Sequence, residues 1–221
     1  MAHLDRPFAA ADLARPGTGF YAGHGKRLLD LTLVLATLPM TLPLIALLWL
    51  LVRGGGGPGF YGHRRIGRHG KAFTCWKIRS MHEDSKARLA ALLAQDRRAA
   101  DDWAARAKLG RDPRITRLGR FLRRSSLDEL PQLWNVLRGE MSLVGPRPVT
   151  AAELARYGEH LPRYLGQRPG LTGLWQVSAR ERGCYAVRVR LDSAYCAQIS
   201  ARRDLKVLLA TFGAVLRGTG S

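Results

Sequence analysis

Apolar and polar positions fall in blocks along this chain, and the blocks predict its elements. The longest apolar block runs from Leu28 to Val52 as LLDLTLVLATLPMTLPLIALLWLLV, interrupted only by Asp30 and a few threonines. At ~1.5 Å per residue, a helix of that length suits a ~30 Å hydrocarbon core. A single-pass helix is one reading. Pro39 and Pro43 stand near its middle, however, and each removes a backbone donor, which predicts a kink or break into halves too short to span. Lys26 and Arg27 precede the block while Arg53, Arg64 and Arg65 follow it. A re-entrant helix, entering and leaving on the cytoplasmic face, keeps both basic flanks on the side they prefer.

Beyond it, GGGGPG at 54–59 reads as a hinge, and FYGHRRIGRHGKAFTCWKIRSM alternates β-favouring runs with Gly turns as a hairpin does. Residues 84 to about 109 show Leu and Ala at helical spacing with charge opposite, a surface helix without chemistry. Arg117, Arg120, Arg123 and Arg124 recur on an amphipathic helix whose apolar residues are Ile115, Leu118, Phe121 and Leu122, suited to an anionic membrane surface. The stretches VRVRLDSAYCAQIS and RRDLKVLLATFGAVLR predict an amphipathic segment and a C-terminal helix that packs on the core or rests against the membrane. The fold class is thus mainly α with a small β-hairpin (α+β). It comprises an N-terminal lead (1–25) lacking signal-peptide order, a re-entrant membrane helix (26–53) and a compact cytosolic or interfacial catalytic domain (54–221).

Charge narrows the partners. Thirty-six Lys and Arg against seventeen Asp and Glu give +19, which points to nucleic acid, anionic lipid or phosphorylated substrates. Cys75, Cys184 and Cys196 are odd in number without CxxC spacing, so neither disulfides nor zinc are expected, and no histidine is assigned as a ligand.

The chemistry concentrates in DPRITRLGRFLRRSSLDELPQLWNVLRGEMSLVGPRP, residues 112–148. Ser125 and Ser126 stand three residues ahead of Asp128 and Glu129, the spacing of a capping box, whereas Pro131 would start the helix itself. Either way the acid pair sits at a helix N-terminus, as dipole complement or as catalytic dyad. In Gly145-Pro146-Arg147-Pro148, two prolines either hold one guanidinium ready for bidentate phosphate contact or simply make a rigid turn. Arg65, Lys77 and Arg79 on the hairpin are further phosphate-binding candidates. RPGLTGLWQV at 168–177 places Arg168 and Gln176 among turn glycines, as a nucleotide pocket or a packed turn.

With these residues in view, the sequence resembles the monotopic phosphoglycosyl transferases, the bacterial sugar transferase family. The resemblance covers roughly residues 24–218 through KRLLD, RIG with KIRSM, the 112–148 segment and RPGLTGLWQV, and is nearest to the undecaprenyl-phosphate galactose phosphotransferase branch. It implies transfer of a sugar 1-phosphate from a UDP-sugar to polyprenyl phosphate, with UMP released, in exopolysaccharide or capsule initiation at the cytoplasmic face of the bacterial inner membrane. It further implies Asp128 as the nucleophile forming an aspartyl-phosphosugar, Glu129 as metal or proton partner, and Mg²⁺ held by Asp128 and Glu129. Arg123 and Arg147 match phosphate-holding positions, Lys77 and Arg79 lie in the matching KIRSM segment, and a homodimer and anionic lipid are implied partners. Leu42 replaces the family's Ser beside Pro43. His63 occupies a Gln position, compatible with the galactose branch. Ala179 replaces the Gly beside Arg180, the last candidate for the nucleotide or sugar pocket. Galactose, glucose and acetamido sugars remain open. Two rivals stand: a basic nucleic-acid binder, which leaves the apolar block unexplained and shows no RNP, KH or zinc-finger signature, and a membrane scaffold with a basic face. Nucleic acid is not an expected partner.

Overall fold

In the structure, a computed structural model, residues 20–106, 109–110, 112–178 and 184–217 are described. A π-helical turn, Tyr21–Gly25, leads into α1, Lys26–Gly54. The helix does not divide at Pro39 and Pro43: both lie inside one continuous element, so the break expected there is absent. The Thr37 hydroxyl donates to the Leu33 carbonyl (2.8 Å) and Thr41 to that of Thr37 (3.0 Å), backbone-directed bonds flanking the first proline.

The helical run Tyr21–Gly54 is long and apolar enough to cross a membrane by length and composition, and little of it is buried by the rest of the chain. Its buried positions, Asp30, Val34, Thr41 and Leu48, form one stripe. Leu35, Met40, Leu42, Leu47, Leu50 and Leu51 are exposed on the remaining surface, an apolar expanse that calls for a membrane or partner. The stripe docks along the rest of the chain at both ends. Near the start, Arg27 donates to the carbonyls of Val136 and Leu137, and the Asp30 carboxylate accepts the Leu143 amide at 2.9 Å. Near the end, Leu48 packs with Ile78 and Leu122.

The hairpin forms as expected: β1, Phe60–Ile66, pairs antiparallel with β2, Ala72–Ile78. The surface helix splits into α2, Ser85–Gln95, and α3, Arg97–Arg106, because Asp96 adopts an extended backbone. Helix α4, Arg117–Arg124, is capped by the Thr116 side chain, which accepts the Gly119 amide. Ile115 thereby falls outside the helix and bridges instead to Met81. A Cβ on Gly119 would come within 1.9 Å of the Ser80 carbonyl oxygen, so glycine lets α4 lie directly against the end of the hairpin.

After a 3₁₀ turn at Leu127–Glu129 and α5, Gln132–Leu137, comes a small parallel sheet that the hydrophobic pattern did not announce. Its strands are β3, Ser142–Val144, and β4, Gly170–Thr172. Between them lie a 3₁₀ segment, Ala151–His160, and α6, Leu161–Leu165. Helices α7, Leu174–Ser178, α8, Tyr185–Ala197, and α9, Ala201–Leu216, complete the chain. The core joins Val34, Phe73, Val136, Met141, Val144, Tyr195 and Val207, linking α1, both sheets, α5, α8 and α9. Buried Asp204 ties α9 to the start of α1, accepting from Tyr21, Lys26 and Tyr195, each at 2.6 Å.

Candidate active site

The hairpin register builds one wall of the site. Tyr61 opposes Lys77, His63 opposes Cys75 and Arg65 opposes Phe73. Directly opposed residues share a face, so Tyr61, His63, Arg65 and Lys77 stand together, and all four line a cavity of about 290 Å³ with Arg79, Arg123, Asp128 and Arg147.

Asp128 reaches this cavity, and Glu129 an adjoining cleft, from the 3₁₀ turn, not from the first turn of an α-helix. The capping box is not formed. Ser126 is left-handed (φ 56°) and makes no side-chain cap bond, while α5 begins after Pro131, the second of the two starts the sequence allowed. The strained Ser126 conformation turns the chain so that consecutive acids face different surroundings. Asp128 is buried. Burial pushes its carboxyl up to about 6, and Glu129 adds to that push, while Lys77 and Arg123 favour the charged form and oppose both. Glu129 accepts from the Lys77 ammonium at 2.7 Å.

Arg123 stands in the last turn of α4, and its Nε donates to the Ser80 hydroxyl at 2.9 Å. The contact between Gly119 and Ser80 therefore also sets this guanidinium. Arg147 is placed by backbone contact between the two glycine motifs. The Gly170 amide donates to Pro146 O (2.8 Å) and the Gly145 amide to Thr172 O (2.9 Å). A Cβ on Gly170 would meet Gly145 N at 2.1 Å, and one on Gly173 would meet Gly145 O at 2.1 Å. GPRP and RPGLTG are thus two sides of one tight junction. Above it the Arg147 guanidinium lies 5.9 Å from the Trp175 ring centroid, and the Arg79 guanidinium lies 5.6 Å from that of Tyr61. Among the described residues, no carboxylate forms an ion pair with Arg79, Arg123 or Arg147. Three guanidiniums around one buried acid are chemically suited to a multiply charged phosphate.

Arg65 lines the cavity but is paired with Glu153 at 3.1 Å. Glu153 also binds Arg188 (3.2 Å) and closes a capping box with Thr150. Burial pushes its carboxyl up, but the Thr150 amide, Arg188, the Thr150 hydroxyl and Arg65 outweigh burial and hold it below its ordinary value. This positioning residue escaped the sequence reading, although Thr150 followed three residues later by Glu153 is a capping-box pattern. Ser80 was not singled out either, although it lies within the KIRSM segment. Burial and the neighbouring Arg65 and Lys77 charges hold the His63 imidazole below its ordinary value, against the opposing pull of Glu153.

Two other candidates stand apart. Gln176 lines a second cleft together with Glu129 and Arg147. Arg168 does not join the Asp128 cavity: its Nε donates to the Gly139 carbonyl (2.8 Å), and it lines a separate pocket with Arg27 and Arg68. Arg180 lies outside the described residues.

No cluster of three His, Cys, Asp or Glu forms among the described residues. The adjacent carboxylates of Asp128 and Glu129 still suit a hard cation such as Mg²⁺, which takes one or two carboxylates and fills its shell with water and substrate phosphate oxygens.

A basic cavity around a buried acid, beside an apolar helix, is the arrangement the long motifs led one to expect. The sequence matches the bacterial sugar transferase family over residues 21–218. The chain belongs to the bacterial sugar transferase family. The undecaprenyl-phosphate galactose phosphotransferase of Salmonella typhimurium (strain LT2) is 48% identical over 196 residues, 89% of this chain and 41% of that protein. The exopolysaccharide production protein ExoY of Rhizobium meliloti (strain 1021) is 45% identical over 200 residues, 90% of this chain and 88% of ExoY. The UDP-glucose:undecaprenyl-phosphate glucose-1-phosphate transferase of Caulobacter vibrioides is 38% identical over 202 residues, 86% of this chain and 69% of that protein. This sugar transferase thus spans about two fifths of the Salmonella protein and nearly all of ExoY.

Proposed function

We propose that the chain transfers a sugar 1-phosphate from a UDP-sugar to a polyprenyl phosphate, as the first membrane step of exopolysaccharide or capsule synthesis. The observation that carries this reading is the buried Asp128 carboxylate in a cavity where Arg79, Arg123 and Arg147 form no ion pair among the described residues. The three guanidiniums take the diphosphate of the donor and offset its charge. An Asp128 oxygen attacks the phosphorus next to the sugar, the anhydride bond breaks, and UMP leaves with the electron pair. An oxygen of polyprenyl phosphate then attacks the same phosphorus, and the acyl-phosphate bond breaks to return the carboxylate. Dividing the reaction spares a direct meeting of two anions. Lys77 and Arg123 keep Asp128 available as the anion against the push of burial. Asp128 and Glu129 are the residues that would hold Mg²⁺, which when bound supplies further charge neutralisation at the phosphates.

The docking of both ends of α1 on one catalytic body supports a monotopic placement on the cytoplasmic face. A helix lying along the body cannot carry its two ends to opposite sides of a bilayer while the body stays on one side. The sugar is galactose or glucose, in keeping with the relatives' names. The test is UMP release from a UDP-sugar panel by the protein in lipid. Asp128→Asn is expected to abolish it, whereas near wild-type release by that variant would overturn the mechanism.

A further inference from the structure

A second cleft, of about 320 Å³, shares Arg147 with the cationic cavity and has Glu129, the neighbour of Asp128, in its wall. Its other walls are largely apolar, formed by Leu127, Leu130, Leu171, Val177, Leu208 and Phe212. We infer that this cleft seats the first isoprene units of the lipid acceptor, with the acceptor's phosphate at the Arg147 end. This rests on the transfer reaction proposed above and assigns it a second substrate site.

Three observations select a prenyl chain over other occupants. A nucleotide or sugar is polar and would leave a leucine-lined wall unmatched, whereas a prenyl phosphate has the same polarity profile as the cleft, anionic at one end and hydrocarbon beyond. The polar end lies where an acceptor phosphate is needed, since Arg147 faces both spaces. The other end opens at Phe212, which lines the cleft and is nevertheless 65% exposed, beside the exposed Leu205 and Leu209 of α9. That face is what a bilayer would cover, so a lipid can pass from the membrane into the cleft without its chain meeting water.

The experiment uses the full chain in lipid nanodiscs with undecaprenyl phosphate as acceptor. Leu208→Trp and Val215→Trp fill the cleft and are expected to raise the acceptor KM at least about tenfold while the donor KM stays within about twofold. Ala91→Trp adds bulk on the exposed surface of α2, where it lines neither cavity, and is expected to leave the acceptor KM within about twofold. If filling the cleft changes the acceptor KM no more than Ala91→Trp does, the assignment is wrong. Because tryptophan can disturb packing, the wild-type protein is also photolabelled with a diazirine-bearing farnesyl phosphate. Adducts in the peptides carrying Leu127, Leu130 and Leu208 to Val215 are expected; adducts confined to α1 overturn the assignment. Labelling needs no turnover. Failure of the wild-type protein to transfer sugar phosphate therefore sinks the proposed function, while the labelling pattern still decides the cleft.

Discussion

Asn135 is the strongest test of how the catalytic turn is held against the hairpin. It is fully buried on α5, and its side chain knits that helix to β2. Nδ2 donates to the Thr74 carbonyl (2.8 Å) and to Glu140 (2.6 Å), and Oδ1 accepts the Trp76 amide (3.2 Å). Asn135→Leu keeps the volume and removes all three bonds. It orphans one backbone donor and one backbone acceptor, at roughly 1–3 kcal/mol each when buried, or about 2–6 kcal/mol in all. At roughly 2–4 °C per kcal/mol for a chain of this size, thermal unfolding should fall by about 4–24 °C. The assay is unfolding followed by circular dichroism in nanodiscs of fixed lipid composition. The same substitution loosens β2, which carries Lys77 to Glu129, so UMP release should fall even at temperatures where the variant stays folded. A transition within about 1 °C of wild type would refute the reasoning that this amide joins hairpin to catalytic turn.

Other consequences follow from single contacts. Asp204→Ala strips Lys26 of its partner in a pair whose side chains are 11% and 1% exposed; it should cost about 3–5 kcal/mol, read by denaturant unfolding and by earlier protease cleavage of α9. Gly119→Ala places a methyl against the Ser80 carbonyl and should cost about 1–3 kcal/mol. Because α4 must shift and carry Arg123 with it, the donor KM should rise about tenfold, a loss of about 1.4 kcal/mol; an unchanged KM would show that Arg123 does not hold the donor. Lys77→Met removes the ammonium that Glu129 accepts from at 2.7 Å and should lower kcat by about 10² with a smaller change in KM, measured as steady-state UMP release.

Much of this fold was legible because its elements carry periodic patterns. The hairpin showed β-favouring runs between Gly turns, α1 was one long apolar block, and α4 had an apolar face opposite its arginines. The parallel pair β3 and β4 was invisible because three-residue strands carry no periodicity, and their pairing rests on Gly145, Gly170 and Gly173 allowing backbones to touch. The prolines of α1 misled in a different way. Local propensity argued for a break, but packing of the Val34 and Leu48 stripe against the body keeps the helix continuous. Arg123, Arg147, Lys77, Arg79 and Asp128 were singled out because they sit in long motifs, and the structure brings them around one cavity. Arg168 shared a motif yet serves the end of α5, where its guanidinium meets the Gly139 carbonyl. Glu153 went unread because its work lies in tertiary partners, Arg65 and Arg188, that no local spacing reveals.

The central claim is that Asp128 carries the phosphosugar between two substrates. Its most direct measurement is to mix the protein with a UDP-sugar labelled at the phosphorus next to the sugar, without lipid acceptor, quench, and map the label by peptide mass spectrometry. The account expects a burst of UMP matching the amount of enzyme, with the phosphosugar on the peptide containing Asp128 and its discharge when polyprenyl phosphate is added. UMP formed only when the acceptor is present, with no label on the protein, would contradict it.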